Sequence, residues 1–262
     1  MGTDRFAELF SLRGKAALVA GGAGAIGSAL AEVLAAYGAG VAIGDFNEQG
    51  AQRMAEQLAA STGARTLGVR VDVNDAASVA AAIERTQNDL GAVGVLVNAV
   101  GTHIEQAAQD VTPEAWDKVL GVNLRGAFLL SQGAARAMIA AGTGGSIIHV
   151  TSVRSGLGIR RGYAAYCASK GGLAILIKQL ATEWAQYNIR VNGIAPTFTR
   201  TPLVADYLND PQFYSDLVKR IPLGRVCETA DIQGLALFLA SDASSFITGQ
   251  NIFVDGGVTA TQ

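Results

Sequence analysis

The chain has 262 residues, half of them apolar and 16% charged, with a formal net charge of −2. That length and apolar content predict one large α/β domain with a sizeable core, and the near-neutral balance leaves no basic footprint for nucleic acid. Two histidines and two cysteines, Cys167 and Cys227, give neither a disulfide framework nor metal-ligand spacing, so no metal site is expected. The opening MGTDRFAELFSLRGK carries acids and lacks the apolar core of a signal peptide. No apolar run approaches the roughly 20 residues that span a bilayer. With so few cysteines, a protein of the reducing cytoplasm is expected, without membrane or nucleic-acid partners.

Taken in order, short β-branched runs alternate with longer alanine-rich stretches. Strands are predicted at 15–20, 40–45, 66–73, 93–98, 146–152, 189–196 and 251–257, with helices near 25–37, 47–60, 75–90, 113–140, 163–187 and 229–241. Near-continuous apolar strands alternating with helices imply a parallel sheet covered on both faces. Right-handed crossovers then give a Rossmann-type doubly wound fold of seven strands in a single domain over 1–262. The stretch 197–224, with Pro202, Pro211 and Pro222, is longer than an ordinary connection and reads as a lid.

The first junction is AGGAGAIG, at 20–27, after a strand and opening a helix. That is the context of a dinucleotide fingerprint: glycines admit a pyrophosphate, which the helix N-terminus favours. Asp45 ends the second strand, where a carboxylate accepts from ribose hydroxyls; capping the next helix is its alternative role. Asp72 has the same two readings, adenine contact or helix cap. NAVG, at 98–101, ends the fourth strand beside the first. Asn123, in VNLRG, is a polar residue on an apolar helical stretch, where a satisfied core amide is the ordinary role.

Ser152 ends the run SIIHVTS, and Tyr166 and Lys170 follow four apart on one predicted helix face. Lowering a phenol from its usual pKa by about 2 units needs roughly 2.7 kcal/mol. One cation about 4 Å away supplies roughly 4 kcal/mol at an effective dielectric of 20, so a single lysine suffices. Packing for Tyr166 and solvation for Lys170 are the plainer alternative for an isolated YxxxK.

The ordered set overrides that alternative. The glycine turn, Asp45, DV at 72–73, NAVG, VNLRG, Ser152, YCASK, IRVNGIAPTFTRTP and ITGQNIFVDGG together resemble the short-chain dehydrogenase/reductase family over essentially the whole chain. The resemblance implies a general acid/base role for Tyr166. It implies that Lys170 lowers the tyrosine pKa and holds the nicotinamide ribose. It implies that Ser152 bonds the reacting oxygen and that Asn123 holds a relay water. It further implies cofactor contacts at Gly21, Gly24, Ala25, Ile26, Gly27, Asp45, Phe46, Asp72, Val73, Asn98, Ala99, Gly101, Pro196, Thr199 and Thr201, besides Tyr166 and Lys170. Four departures stand out: Ala20 for the usual threonine, Ala25 for the middle glycine, Ala99 and Val100 in the NNAG motif, and Thr197 after Pro196.

The reading is an NAD-dependent oxidoreductase moving hydride between a secondary alcohol or ketone and nicotinamide. NAD is expected over NADP because Asp45 repels a 2′-phosphate and neither Phe46, Asn47 nor the glycine turn supplies a cation. IAPTFTRT, DPQFYSDLVKRIPLGR and the glycine pair after Lys170 resemble the compact gluconate 5-dehydrogenase-like branch. With Arg154, Arg160, Arg161, Arg200 and His103 at the expected rim, a polyol, sugar or sugar-acid substrate is predicted. Solvated or subunit-contact arginines are the alternative there. Other readings are a reductase of hydrophobic ketones and a non-enzymatic cofactor-binding regulator. The apolar faces AFLL and LAILI, with the resemblance, imply a homotetramer.

Overall fold

The computed structural model of the chain describes residues 3–261, so residues 1, 2 and 262 of the expected domain lie outside the described residues. Every predicted apolar run forms a strand: β1 (Ala16–Ala20), β2 (Gly40–Asp45), β3 (Thr66–Arg70), β4 (Val93–Asn98), β5 (Gly145–Val150), β6 (Ile189–Pro196) and β7 (Asn251–Val254). They form one parallel sheet in the order β3-β2-β1-β4-β5-β6-β7. The order reverses between β1 and β4, which opens the crevice where doubly wound folds bind ligands.

The helices are α1 (Thr3–Leu9), α2 (Ala25–Ala36), α3 (Glu48–Thr62), α4 (Ala76–Leu90), α5 (Pro113–Leu120), α6 (Gly126–Ala141), α7 (Ala164–Trp184), α8 (Ala205–Asn209), α9 (Pro211–Val218) and α10 (Thr229–Ala240). Strand side chains alternate between two layers. Val19, Ile43, Val97 and Ile148 pack with Leu34 of α2, Leu58 of α3 and Ile232 of α10. Their neighbours Leu18, Ala42, Leu96 and Ile147 pack with Ile83 of α4, Leu130 of α6 and Leu173 of α7. Burial on both faces is why the strands read as continuous apolar runs.

Several expectations change. The helix predicted at 113–140 breaks into α5, a π-turn over Gly121–Arg125 and α6. Asn123 sits in that π-turn, a local rewinding common at functional sites. The stretch 197–224 is not irregular. Asp210 accepts from the Gln212 and Phe213 amides and Pro211 opens α9, so the stretch holds two short helices, α8 and α9. These helices pack over a small core of their own around Leu208, Ile221 and Val226. Strand β3 stops at Arg70, three residues short of the predicted end, and α1 was not predicted. The caps of α3 and α4 are Asn47 and Asp75. Asp45 and Asp72 are therefore not needed as helix caps.

Candidate active site

The floor of the crevice is two turns back to back. Gly21 has φ +75°, and a Cβ there would lie 2.9 Å from the Ala99 carbonyl carbon and the Val100 nitrogen. Only glycine lets the β1 and β4 exits approach this closely. Gly24 is the exposed N-cap of α2, and Ala25, Ile26 and Gly27 form its first turn. Asp45 borders the turn, its Oδ2 accepting from the Ala23 amide at 3.3 Å and its Oδ1 from the Asn47 amide at 3.0 Å. Asp72 Oδ1 accepts from the Asn74 amide at 2.9 Å, and Val73 is buried beneath it. Phe46 is exposed, with the Arg70 guanidinium 5.2 Å over its ring. Arg70 faces Asp45 in the β2–β3 register, so β3 brings a cation that the residues beside Asp45 lack.

The reactive cluster lies where β5 ends and α7 begins. Ser152 Oγ accepts from the Arg154 amide at 3.1 Å, and the Ser152 hydroxyl favours the ionised form of the Tyr166 phenol. Lys170 is buried and donates from Nζ to the Val150 carbonyl at 2.9 Å. Burial pushes its ammonium down to about 8. Nζ stands 5.7 Å from the Tyr166 ring centroid. Burial, the largest influence, pushes the Tyr166 phenol above its ordinary value, while the Ser152 bond acts the other way. This differs from the sequence argument, which had lysine lowering the phenol. The ammonium is itself desolvated and directed to Val150, and the principal group opposing the rise is Ser152.

Asn123 joins the loop after β4 to α7. Its Oδ1 accepts from the Thr102 amide at 2.8 Å, and its Nδ2 donates to the Thr102 carbonyl at 2.9 Å and to Ser169 Oγ at 3.0 Å. Both amide protons are used, so a relay water has only a remaining Oδ1 lone pair or the main-chain carbonyl to bind. A Cβ on Gly101 would lie 3.6 Å from Lys170 Nζ and 3.7 Å from Asn123 Oδ1, ordinary contact distances, so exposed Gly101 lies directly against both side chains. The donor set fits a dinucleotide. Helix N-terminal amides suit a diphosphate, Asp45 and Lys170 suit hydroxyls, and Gly101 leaves room between them.

His149 was missed from the sequence because a histidine inside SIIHV reads as strand. It is fully buried, its Nδ1 accepting from Asn98 Nδ2 at 3.2 Å and its Nε2 facing Ser131 Oγ at 2.9 Å. Burial, then the nearby Lys170, push it down to about 3. Held neutral, it orients Asn98, whose Oδ1 accepts from the Val100 amide at 3.0 Å beneath the NAVG turn that includes Ala99.

The expected substrate residues separate. Arg154 is half-buried within electrostatic reach of Tyr163, Tyr166 and Cys167, and donates to the Gly158 carbonyl at 2.8 Å. Arg160 is exposed. Arg161 pairs with Glu105 at 3.1 Å, and Arg200 pairs with Glu228 at 2.9 Å near the surface. His103 packs against Tyr163 and Tyr166. Ahead of α8, Pro196 ends β6, Thr199 is buried with Oγ1 donating to the Thr197 carbonyl at 3.1 Å, and Thr201 heads the turn 202–204.

A family model described as enoyl-(acyl carrier protein) reductase matches residues 21–259. The D-threitol dehydrogenase of Mycolicibacterium smegmatis is 39% identical over 251 residues, 95% of this chain and 95% of that protein. The NAD-dependent glycerol dehydrogenase of Listeria innocua is 37% identical over 97% of each chain. A crystal structure of a gluconate 5-dehydrogenase from Burkholderia cenocepacia, in complex with NADP and tartrate, superposes with a TM-score of 0.93 at 38% identity, covering 98% of this chain and 100% of that one. With its sheet order, its glycine turn and these likenesses agreeing, the chain belongs to the short-chain dehydrogenase/reductase family, as a nicotinamide-dependent short-chain alcohol dehydrogenase.

Proposed function

We propose that the chain oxidises a secondary hydroxyl of a polyol or sugar acid, with Tyr166 as general acid/base. The observation that carries this is the convergence of Ser152 and Tyr166 beside buried Lys170, below the open face of Gly101. Bound nicotinamide supplies the hydride acceptor. Tyr166, as phenolate, takes the alcohol proton. Ser152 donates to the same oxygen, so charge developing there meets a fixed donor. Lys170, fixed by the Val150 carbonyl, would hold the cofactor's ribose and carry the proton on toward Asn123. Asn123 keeps the loop after β4 at its distance from α7 through Thr102 and Ser169.

NAD is proposed over NADP. The support is the Asp45 carboxylate against the glycine turn and the NAD-dependent relative. Arg70 over Phe46 is the feature that favours NADP, the cofactor bound in the similar gluconate 5-dehydrogenase structure. The proposed substrate class rests on the polyol and sugar-acid names of the relatives and on Arg154 as the half-buried arginine beside Tyr166.

A homotetramer is proposed from an apolar groove on α5, the π-turn, α6 and α7. It is lined by Leu120, Leu124, Phe128, Ile175 and Leu176, with Ile175 64% exposed. Cytoplasmic location is proposed from two free thiols, Cys167 and Cys227. Among the described residues no helix is long and apolar enough to cross a membrane.

The test is NAD⁺ reduction across threitol, xylitol, gluconate and simple secondary alcohols. Turnover of a polyol or sugar acid above the simple alcohols is expected; activity confined to hydrophobic alcohols would reject the substrate class.

A further inference from the structure

Three buried side-chain atoms have no hydrogen-bond partner among the described residues: both ring nitrogens of His103, and Oε1 of Gln106. All three lie within four residues of one loop. Buried polar atoms in native folds are almost always bonded, so three together call for a partner.

The loop is rigid. Asn123 bonds both the amide and the carbonyl of Thr102, the residue before His103. Gln106 forms an isolated bridge with Tyr163, its amide donating to the Gly162 carbonyl at 3.1 Å. A Cβ on Gly162 would collide with the Gln106 carbonyl, so only glycine permits this contact. The His103 ring is held between Tyr163, 3.9 Å away between centroids, and the edge of Tyr166, at 5.2 Å. Packing thus fixes the ring beside the proposed acid/base while its nitrogens stay unpaired.

We infer that His103 is a specificity-determining residue that hydrogen-bonds a second hydroxyl of the substrate, near the one Tyr166 deprotonates, and that Gln106 belongs to the same wall. The inference rests on the polyol or sugar-acid reading and narrows it to the recognised group. Burial holds His103 below its ordinary pKa, ahead of opposing Glu105 and reinforcing Arg161, so the ring is neutral. Neutral imidazole has one donor and one acceptor. A hydroxyl offers the matching pair, whereas a carboxylate offers acceptors only. His103 therefore reads an alcohol, and recognition of an acid group falls to another residue.

The experiment compares butane-2,3-diol with butan-2-ol, which differ by that hydroxyl, in wild type, His103→Phe and His103→Asn. Phenylalanine keeps the aromatic packing and removes both nitrogens; asparagine keeps a donor and an acceptor. Wild type is expected to favour the diol in kcat/KM. His103→Phe should lose roughly 30-fold or more on the diol and less than about 3-fold on butan-2-ol, chiefly through KM. His103→Asn should recover part of the diol loss. Equal losses on both alcohols in either variant, or wild-type indifference to the second hydroxyl, overturns the inference while the dehydrogenase stands. Wild-type failure on the diol, polyols and sugar acids alike, with butan-2-ol still oxidised, overturns the substrate reading as well.

Discussion

Glu105, in the loop after β4, ties Tyr207 of α8 to Arg161 ahead of α7. Arg161 Nε donates to one carboxylate oxygen at 3.1 Å, and the Tyr207 hydroxyl donates to the other at 3.1 Å. The same guanidinium stacks over Tyr207 of α8 at 4.7 Å and Phe213 of α9 at 5.4 Å. Arg161, one of the arginines ahead of Tyr166, thus fastens α8 and α9 to the loop that carries Glu105.

Breaking that tie should loosen the lid without touching the chemistry. Partly exposed pairs contribute about 1 kcal/mol or less, so Glu105→Ala is expected to raise the substrate KM by up to about five-fold. The KM for NAD and the melting temperature should hardly change. Steady-state kinetics with each substrate varied in turn checks this; a fall in kcat with constant KM would argue against a lid role.

Acid stability should depend on His149. Its pKa is about 3 in the fold against 6.5 ordinarily, so the neutral form is favoured by folding. Below the unfolded value the unfolded chain binds a proton that the native state refuses. Stability is therefore full above about pH 6.5 and falls by up to about 1.4 kcal/mol per pH unit down to the folded value. Urea unfolding of wild type and His149→Asn at several pH values between 7 and 4 measures it. The wild type should lose more stability on acidification; parallel curves would refute the assignment.

Cofactor choice tests Asp45 against Arg70. Wild type is expected to have the higher kcat/KM with NAD, Asp45→Asn to gain on NADP, and Arg70→Ala to lose what NADP activity exists. A wild-type preference for NADP, abolished in Arg70→Ala, would mean that the cation over Phe46 governs the site.

These outcomes also mark what the sequence could reveal. The sheet was legible because strands buried on both faces leave uninterrupted apolar runs, as at VGVLVN. Ser152, Tyr166 and Lys170 were legible because short spacings just after β5 and along α7 bring them together. Long-range pairing was not. Nothing near Arg161 in the chain announces Glu105, 56 residues away, and nothing near Asp45 announces Arg70. The π-turn at Asn123 was hidden because Gly121 and Gly126 are compatible with an ordinary helix. His149 was hidden because its partners, Asn98 and Ser131, sit on other elements.

The pH dependence of turnover should bear the stamp of burial. The Tyr166 phenol is held above its ordinary value by desolvation, with Ser152 opposing. Below its pKa the base is protonated, so kcat/KM for oxidation should rise with pH through the alkaline range. Removing the opposing bond in Ser152→Ala should move the rise to higher pH. A profile that is the same in both proteins would show that Ser152 does not bond the phenolate.

The most direct measurement is turnover by Tyr166→Phe. Only the hydroxyl is removed, so the fold, the melting temperature and NADH binding followed by fluorescence should match wild type. Loss of a general acid/base costs about 10²–10⁴-fold, and kcat is expected to fall by roughly 1000-fold on any alcohol the wild type oxidises. A phenylalanine variant that binds NADH normally and keeps a tenth of wild-type activity would contradict the account.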